Sequence, residues 1–459
     1  MMELSQKGVE NLMKKDLTIR EINEKLKKGE AVVMTALDFK EEVRRGHRFE
    51  VGEVDVVTCA TRGIMSGTAA MFVVPVTGPG VFARAEKIWL NGIPGMPGPA
   101  PNERLGVVDV LIHGTGHSKY HPMGYGGGHL FRDLLEGKKI HAEVESVDGR
   151  FFESHFTLKD LDFARFYTFR NTFMNYSAFA NFKDMASYCN NPRSIFAPRF
   201  IPRGRGVSFS GSGGLNPLEN DKKFRTLRVG MKVLLNNAPA VVVGCGTRSK
   251  PEKANLSIVA DMFQMDPELL GGFKTSYGPE ISNTVAVPLP LLDQEIIDGI
   301  AEALDEKVPI PVADIGDRVP LEFKRYADVW SPDGEATGLE VEFDPDRCIS
   351  CSFNCPAEYY CPMGAISWRK KEIDQNLCFA CGACTLNCLG GAFKEKGREY
   401  RGSLGVLHAQ GFDLPIIFRQ SDRRRGILAA TYLKEMMENG EFSLADTDMP
   451  ITIGAPQKK

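Results

Sequence analysis

No stretch of this sequence stays apolar over the roughly 20 residues needed to cross a bilayer, so no membrane-spanning helix is expected. An excess of one charge is missing too. The formal net charge is −3, which offers neither the basic footprint of a nucleic-acid binder nor a polybasic membrane anchor. The N-terminal residues from Met1 to Arg20 are of mixed charge and lack the apolar stretch of a secretory signal. Apart from one cysteine-rich segment, no internal repeat is visible. What is present suits a soluble globular chain: 459 residues, long enough for two or three domains, 43% apolar and 25% charged.

Against that background the cysteines stand out. Eight of the 11 lie between Cys348 and Cys388. Cys378, Cys381, Cys384 and Cys388 form a C-x2-C-x2-C-x3-C run. Cys348, Cys351, Cys355 and Cys361 form a stretched copy, with one extra residue before Cys355 and two before Cys361. In two-cluster ferredoxins three thiolates of such a run hold one iron–sulfur cube, and the fourth ligates the other cube. The expected ligand sets are therefore Cys348, Cys351, Cys355 and Cys388 for one 4Fe–4S cluster, and Cys378, Cys381, Cys384 and Cys361 for the second. A zinc ribbon needs only two C-x2-C pairs and leaves four thiols unexplained. Disulfides belong to small secreted domains, which this long chain without a signal does not resemble. The stretched first run leaves open whether its cluster is a full four-iron cube. Thiolate-bound clusters need a reducing compartment, so a cytoplasmic protein of an anaerobe is expected.

The rest of the chain mixes helical patterns with short β-branched runs and reads as an α/β or α+β domain. A capping Thr18 with Glu21 three residues later predicts a helix near the N-terminus. Strands are expected at Ala31 to Leu37, Val54 to Thr58, Val107 to His113 and Ala240 to Val243, and helices at Leu130 to Leu135, Lys159 to Tyr167 and Asp293 to Leu304. Val308-Pro-Ile-Pro-Val breaks any helix and suggests a boundary. The expected organisation is a large domain over 1–310, a connecting segment over 311–342, a two-cluster ferredoxin over 343–397 and a return to the large domain over 398–459. The cluster module would then be an insertion.

Outside the cluster cysteines, Cys59 is the leading candidate for chemistry. It is expected to end a strand and open the small-residue loop Ala60-Thr-Arg-Gly-Ile-Met-Ser-Gly-Thr, where Arg62 and backbone N–H groups would stabilise a thiolate. The alternative is a buried cysteine acting as a small hydrophobe. The run from Gly114 to His129 is rich in glycine and opens into the expected helix. Its spacing matches neither the dinucleotide fingerprint nor a P-loop. Gly126, Gly127 and Gly128 are therefore read as an anion-binding helix start. Among His113, His117, His121 and His129, a general acid or base is expected at His117 or His129, and a metal at this loop is left open. Arg203 and Arg205, in a glycine- and serine-rich loop, and Arg248, beside Cys245, are candidate carboxylate or sulfonate ligands. Cys245 is a candidate sulfur relay, with a structural turn the alternative; Cys189 has no assigned role.

Several of these segments resemble one family. Thr58-Cys59-Ala60 with Ser66-Gly-Thr, Tyr125-Gly-Gly-Gly-His129, Gly244-Cys-Gly-Thr-Arg-Ser, Asp261-Met262 and Arg419-Gln-Ser-Asp422 are similar to the homocysteine biosynthesis family, the L-aspartate semialdehyde sulfurtransferases of methanogenic archaea and some anaerobic bacteria. The likeness covers about residues 1–300 and 410–445. The joined ferredoxin part resembles the methanogenesis-marker metalloprotein that is sixteenth in its series. The resemblance implies a persulfide on Cys59, a small anionic aldehyde as substrate, a sulfide or persulfide donor, an external low-potential electron donor, and two 4Fe–4S clusters that supply electrons. The first-choice substrate is L-aspartate semialdehyde, with sulfoacetaldehyde or another oxo acid as alternatives. Neither nucleic acid nor membrane is an expected partner, and a homo-oligomer is compatible with all of this. Two other functions compete: an electron-transfer subunit of a larger oxidoreductase, and an iron–sulfur carrier.

Overall fold

The computed structural model describes residues 16–98, 100–174, 176–183, 193–332, 340–398 and 401–453. Cys189 lies outside them. Two β-sheets, of 14 and six strands, organise the chain. The strands that matter for the site are β1 (Val33–Thr35), β2 (Val56–Ile64), β3 (Ala164–Asn171), β4 (Ala178–Ala180), β5 (Val207–Phe209), β6 (Ala238–Cys245), β7 (Gly278–Pro290), β8 (Pro309–Asp314) and β9 (Phe412–Arg419). Apart from the parallel β1–β2 pair, the large sheet is antiparallel, so the architecture is α+β rather than a doubly wound α/β fold.

The N-terminal helix α1 (Ile19–Lys28) starts at the Thr18–Glu21 capping box and stops at Gly29, which takes the left-handed conformation. The segment expected to be a strand through Leu37 is shorter: Thr35 ends β1 and caps α2 (Ala36–Arg44) by accepting the Asp38 N–H. The helix α3 (Gly127–Leu135) and the helix α5 (Gln294–Glu302), capped by Asp293, lie where periodicity placed them. The helix expected over Lys159 to Tyr167 is instead a single 3-10 turn, Leu158–Asp160, followed by β3. Alternating burial of Ala164, Phe166 and Thr168 shows why: the aromatic and β-branched residues pack at a period of two.

The strand β2 is covered on both faces and pairs along its whole length with β7, from Val56↔Pro290 to Ile64↔Ser282. Val57 and Cys59 face the main core beside Phe39 of α2. Val56 and Ala60 face a second core formed with α9 (Arg423–Glu438) and α1. The Thr58 hydroxyl donates to the Ala430 carbonyl at 2.9 Å, tying β2 to α9.

In the six-stranded sheet β4 pairs with β8, and β5 with β9, both in parallel. Residues 311–342, expected as a connector, are therefore not one: they contribute most of β8, the edge strand Pro320–Arg325 and the helix α6 (Ala327–Trp330). Prolines 309 and 311 end helices but are accommodated in this strand, whose partner register continues across them. Between α6 and β9 the chain forms a small unit with its own apolar core, built on the two-stranded pairs Val341–Phe343 with Phe393–Glu395 and Ile366–Ser367 with Glu372–Ile373. It includes α7 (Pro356–Tyr359) and α8 (Ala383–Asn387), and the chain then returns through β9 and α9 to the two sheets. Among the described residues no helix is long and apolar enough to cross a membrane.

Candidate functional site

Cys59 does not end a strand. Pairing with β7 carries β2 on to Ile64, and Cys59 sits opposite Val287 in the middle of the ladder with 0% exposure. A buried charge that no local pattern announces acts on it. Lys40, on α2 and 3% exposed, is the charge that most favours its thiolate. The Lys40 ammonium donates to the Gly214 carbonyl and, at 2.6 Å, to Asn220 Oδ1 in the short helix α4 (Pro217–Asn220). Burial pushes the Cys59 thiol up to about 12, with Lys40 opposing, and pushes Lys40 down to about 8, with Cys59 and Asp305 opposing. Cys59 is thus a protonated thiol next to a lysine that titrates near neutrality.

The glycine-rich segment after β5 closes over this pair. Thr61, on the Cys59 side of β2, shares a 2.6 Å hydrogen bond with Ser212. The Gly214 N–H donates to Asp305 at 2.7 Å, and Asp305 pairs with Arg423 at 2.7 Å. Gly213 has a φ of +58°, and a Cβ there would lie 2.3 Å from the Asp305 carboxylate, so only glycine turns the chain this tightly. Lys40, Asn220, Asp305 and Arg423 had no sequence signal. They are drawn from four distant segments, and charged residues are otherwise rare in so buried a setting.

Arg62 lies on the opposite face of β2 from Cys59. Its guanidinium donates to the Glu268 carbonyl at 2.7 Å, stands 3.4 Å from Asp422 and lies 5.2 Å from the centroid of Phe379. Burial pushes it down to about 9, with Asp422 opposing. His117 and His129 are not beside Cys59 either. A Cβ on Gly278 would come within 2.5 Å of the His117 ring, and Gly278 is nine residues along β7 from Val287, about 30 Å. His129 caps α3 by accepting the Gly126 N–H at 3.2 Å, and burial pushes its ring down to about 4.

The three glycines at the start of α3 approach the protein's own backbone rather than an open cradle. A Cβ on Gly127 would lie 2.1 Å from the His113 carbonyl, and one on Gly128 would lie 3.0 Å from the Gly272 Cα. The N–H groups of Gly127 and Gly128 donate to the carbonyls of Gly116 and Gly114, each at 2.9 Å, so the donors expected to hold an anion are already used. Arg203 and Arg205 are exposed in the turn before β5, where Gly204 packs on Phe412. Arg248 is exposed beyond the end of β6, and Cys245 is half-buried at that end.

The eight remaining cysteines fall into two groups. Cys348, Cys351, Cys355 and Cys388 line one cavity of about 110 Å³. Cys384 is pushed up by burial and by its neighbours Cys381, Cys378 and Cys361, which make up the second group. Each group thus combines three cysteines of one run with the last of the other. Backbone N–H groups point at sulfur in both: Ala392 to Cys388 at 3.3 Å, Ala365 to Cys361 at 3.3 Å and Ala380 to Cys378 at 3.4 Å. Among the described residues no group of three or more His, Cys, Asp or Glu side chains closes around a single metal ion. The second group is bound to α9 and to β9 of the six-stranded sheet. Arg425 of α9 donates to the Cys378 carbonyl at 2.6 Å, and the Arg419 N–H donates to the Cys381 carbonyl at 2.8 Å. Arg419 also forms a buried pair with Glu395 at 2.8 and 3.1 Å.

The profile of the family described as homocysteine biosynthesis enzyme, sulfur-incorporation, matches residues 31–444. The chain belongs to that family. Similar proteins come from archaea. An uncharacterized protein of Methanothermobacter thermautotrophicus is 44% identical over 430 residues, covering 93% of this chain and 94% of that protein. An uncharacterized protein of Methanocaldococcus jannaschii is 39% identical over 420 residues, covering 90% and 99%. The L-aspartate semialdehyde sulfurtransferase of Methanocaldococcus jannaschii is 31% identical over 314 residues, which is 65% of this chain and 58% of that enzyme. No solved structure matches. As a homocysteine biosynthesis family member the chain is an enzyme, and sulfur incorporation is its class of chemistry.

Proposed function

We propose that this enzyme is a reductive sulfurtransferase that carries sulfur on Cys59 and turns a small anionic aldehyde into a thiol, with L-aspartate semialdehyde to homocysteine as the first choice. The balanced reaction adds hydrogen sulfide to the aldehyde, loses water to a thioaldehyde and takes up two electrons and two protons to give the thiol. Sulfur arriving as a Cys59 persulfide needs two further electrons to leave the cysteine. Lys40 is the group that can hold a proton or a positive charge beside the sulfur as it changes from persulfide to thiolate.

The two thiol groups suit two 4Fe–4S clusters: soft sulfur donors, four to a group, with N–H groups aimed at sulfur, in a ferredoxin module inserted between α6 and β9. The chemistry such clusters supply is single electrons at low potential. Cys361, Cys378, Cys381 and Cys384 would hold the inner one, and Cys348, Cys351, Cys355 and Cys388 the outer one, nearer an external electron donor. The observation that carries this reading is the contact of Arg62 with Phe379, 5.2 Å from guanidinium to ring centroid. Phe379 lies between Cys378 and Cys381, and Arg62 is three residues, about 10 Å, along β2 from Cys59. A carrier or docking subunit would have no need to brace its cysteines against the strand that holds a buried, lysine-paired thiol.

The test is anaerobic incubation of iron-reconstituted protein with polysulfide as sulfane-sulfur donor, a low-potential reductant and either L-aspartate semialdehyde or sulfoacetaldehyde, with thiols identified by mass. Homocysteine formed fastest from the first aldehyde is expected. Cys59→Ser should form none while keeping its visible absorption, and activity retained in that variant removes Cys59 from the reaction.

A further inference from the structure

A cluster of cations at the junction of the two sheets plays no part in the chemistry at Cys59. Arg170 ends β3, Arg248 and Lys253 lie in the hairpin after β6, and Arg318 follows β8. Three of them sit over one aromatic group. Arg170 is 5.8 Å from the centroid of Phe173, Lys253 is 4.9 Å from that of Tyr176, and Arg318 is 4.7 Å from that of Phe196. Tyr176 joins the rings, 5.0 Å from Phe173 and 6.4 Å from Phe196. Among the described residues none of the four cations has a carboxylate within ion-pair distance. They instead repel one another: Arg248 and Arg318 both lower the affinity of Arg170 and of Lys253 for a proton, after burial.

A second observation points the same way. Glu280, on β7 and 7% exposed, is the acidic group that Arg170 and Arg318 act on, yet its Oε2 has no hydrogen-bond partner. Burial raises the Glu280 carboxyl, with Ser66, Arg170 and Arg318 opposing, so it offsets these cations less than an exposed carboxylate in an ion pair would.

We propose that Arg170, Arg248, Lys253 and Arg318 bind a compact dianion that carries no ammonium group. Four cations without an ion-pair partner, two of them acting on a single carboxyl, leave a positive surplus that a single negative charge does not balance. An ammonium group brought into the same space meets like charge on several sides, so a zwitterion is disfavoured. The aromatic faces already carry cations and supply a wall rather than a stacking slot. Glu280 is seven residues along β7 from Val287, roughly 20 Å, so this site is separate from Cys59. It abuts the apolar cluster in which Phe179 and Phe196 pack with Phe379 and Cys381, which places its ligand one aromatic layer from the second thiol group.

The test is binding without turnover, so its outcome is independent of the sulfurtransferase reading. Full-length, iron-reconstituted protein is titrated calorimetrically with inorganic phosphate, with malonate and with the zwitterion L-homoserine, at ionic strength held constant with chloride. Saturable binding of phosphate and malonate is expected, at least tenfold tighter than any binding of L-homoserine. Arg318→Gln, at an exposed position, should weaken both dianions at least tenfold, and Arg104→Gln, at another exposed position, should not. Lys253→Met, less exposed, should weaken them similarly if its thermal unfolding matches the parent. Absence of saturable dianion binding, equal binding of the zwitterion, or full affinity in Arg318→Gln overturns the proposal.

Discussion

Arg62 and Cys59 lie on the same strand and face opposite ways, Cys59 towards Lys40 and Arg62 towards Phe379. One strand thereby joins the candidate sulfur-carrying thiol to the unit that holds the eight cysteines from Cys348 to Cys388. The strand has no freedom to slip, because a one-residue shift would exchange the two faces and put a guanidinium against the main core.

Phe379→Leu tests this junction. Phe379 is 1% exposed and packs edge-on to Phe273 with ring centroids 4.8 Å apart, so its loss should cost about 1–2 kcal/mol of stability. Iron content should be unchanged, because Cys378 and Cys381 keep their backbone hydrogen bonds to Arg425 and Arg419. Thiol formation should slow more than tenfold. Normal turnover at normal iron content would show that the Arg62–Phe379 contact is structural only.

Lys40 and Cys59 give a stability profile with a worked sign. The folded Lys40 titrates near 8 and the unfolded lysine near 10.5, so across that interval the unfolded chain binds the extra proton and stability rises with pH. Cys59 does the reverse from 9 to about 12, because there the folded chain keeps a proton that the unfolded chain has lost. Wild type should therefore gain about 1 kcal/mol between pH 8 and 9 and then level off, when read by urea melts. Lys40→Met should lose the gain and fall above pH 9. Identical profiles for the two proteins would mean that Lys40 is not held near 8.

His129 predicts a loss on the acid side. Its folded ring titrates near 4 against 6.5 for the unfolded residue, so the unfolded chain binds the extra proton as pH falls through that interval. Up to about 3 kcal/mol should go between pH 6.5 and 4. His129→Asn keeps an acceptor for the Gly126 N–H and should flatten this part of the curve. An unchanged acid limb assigns the loss to other groups.

How much of this was legible depends on how local each signal is. The cysteine spacing is local, and the two thiol groups follow it directly. The Thr18–Glu21 and Asp293 caps are equally local, and the helices begin there. The surroundings of Cys59 are not local. Lys40, Gly214 and Asp305 are brought together only when α2, the 211–221 segment and the start of the six-stranded sheet dock on β2, and no periodicity encodes that. The glycines at 126–128 show a different limit. A pattern that permits close approach is the same whether a ligand or the chain's own backbone approaches, and here the carbonyls of His113, Gly114 and Gly116 occupy the space. The proline-rich stretch 308–312 reads as a break because proline ends helices, yet at these positions of β8 it costs the ladder little.

The division of labour between the thiol groups is tested by Cys381→Ser. Cys381 is 7% exposed and lies in the group that Arg425 of α9 and Arg419 of β9 hold by backbone hydrogen bonds. Serine is a poorer donor to iron than a thiolate, so the variant should lose about half of its iron and keep the part held by Cys348, Cys351, Cys355 and Cys388. Those four line a cavity that includes none of the other group. With the inner group disabled, sulfur loaded on Cys59 should not be released. Intact-protein mass after incubation with polysulfide, which already carries sulfane sulfur, and aldehyde should then show a stable adduct of one sulfur atom, and peptide mapping should place it at Cys59. The same incubation of Cys348→Ser should show slower turnover with less adduct, because the inner group still accepts electrons from added reductant. Normal product release by Cys381→Ser would make the inner group structural and move the electron supply elsewhere.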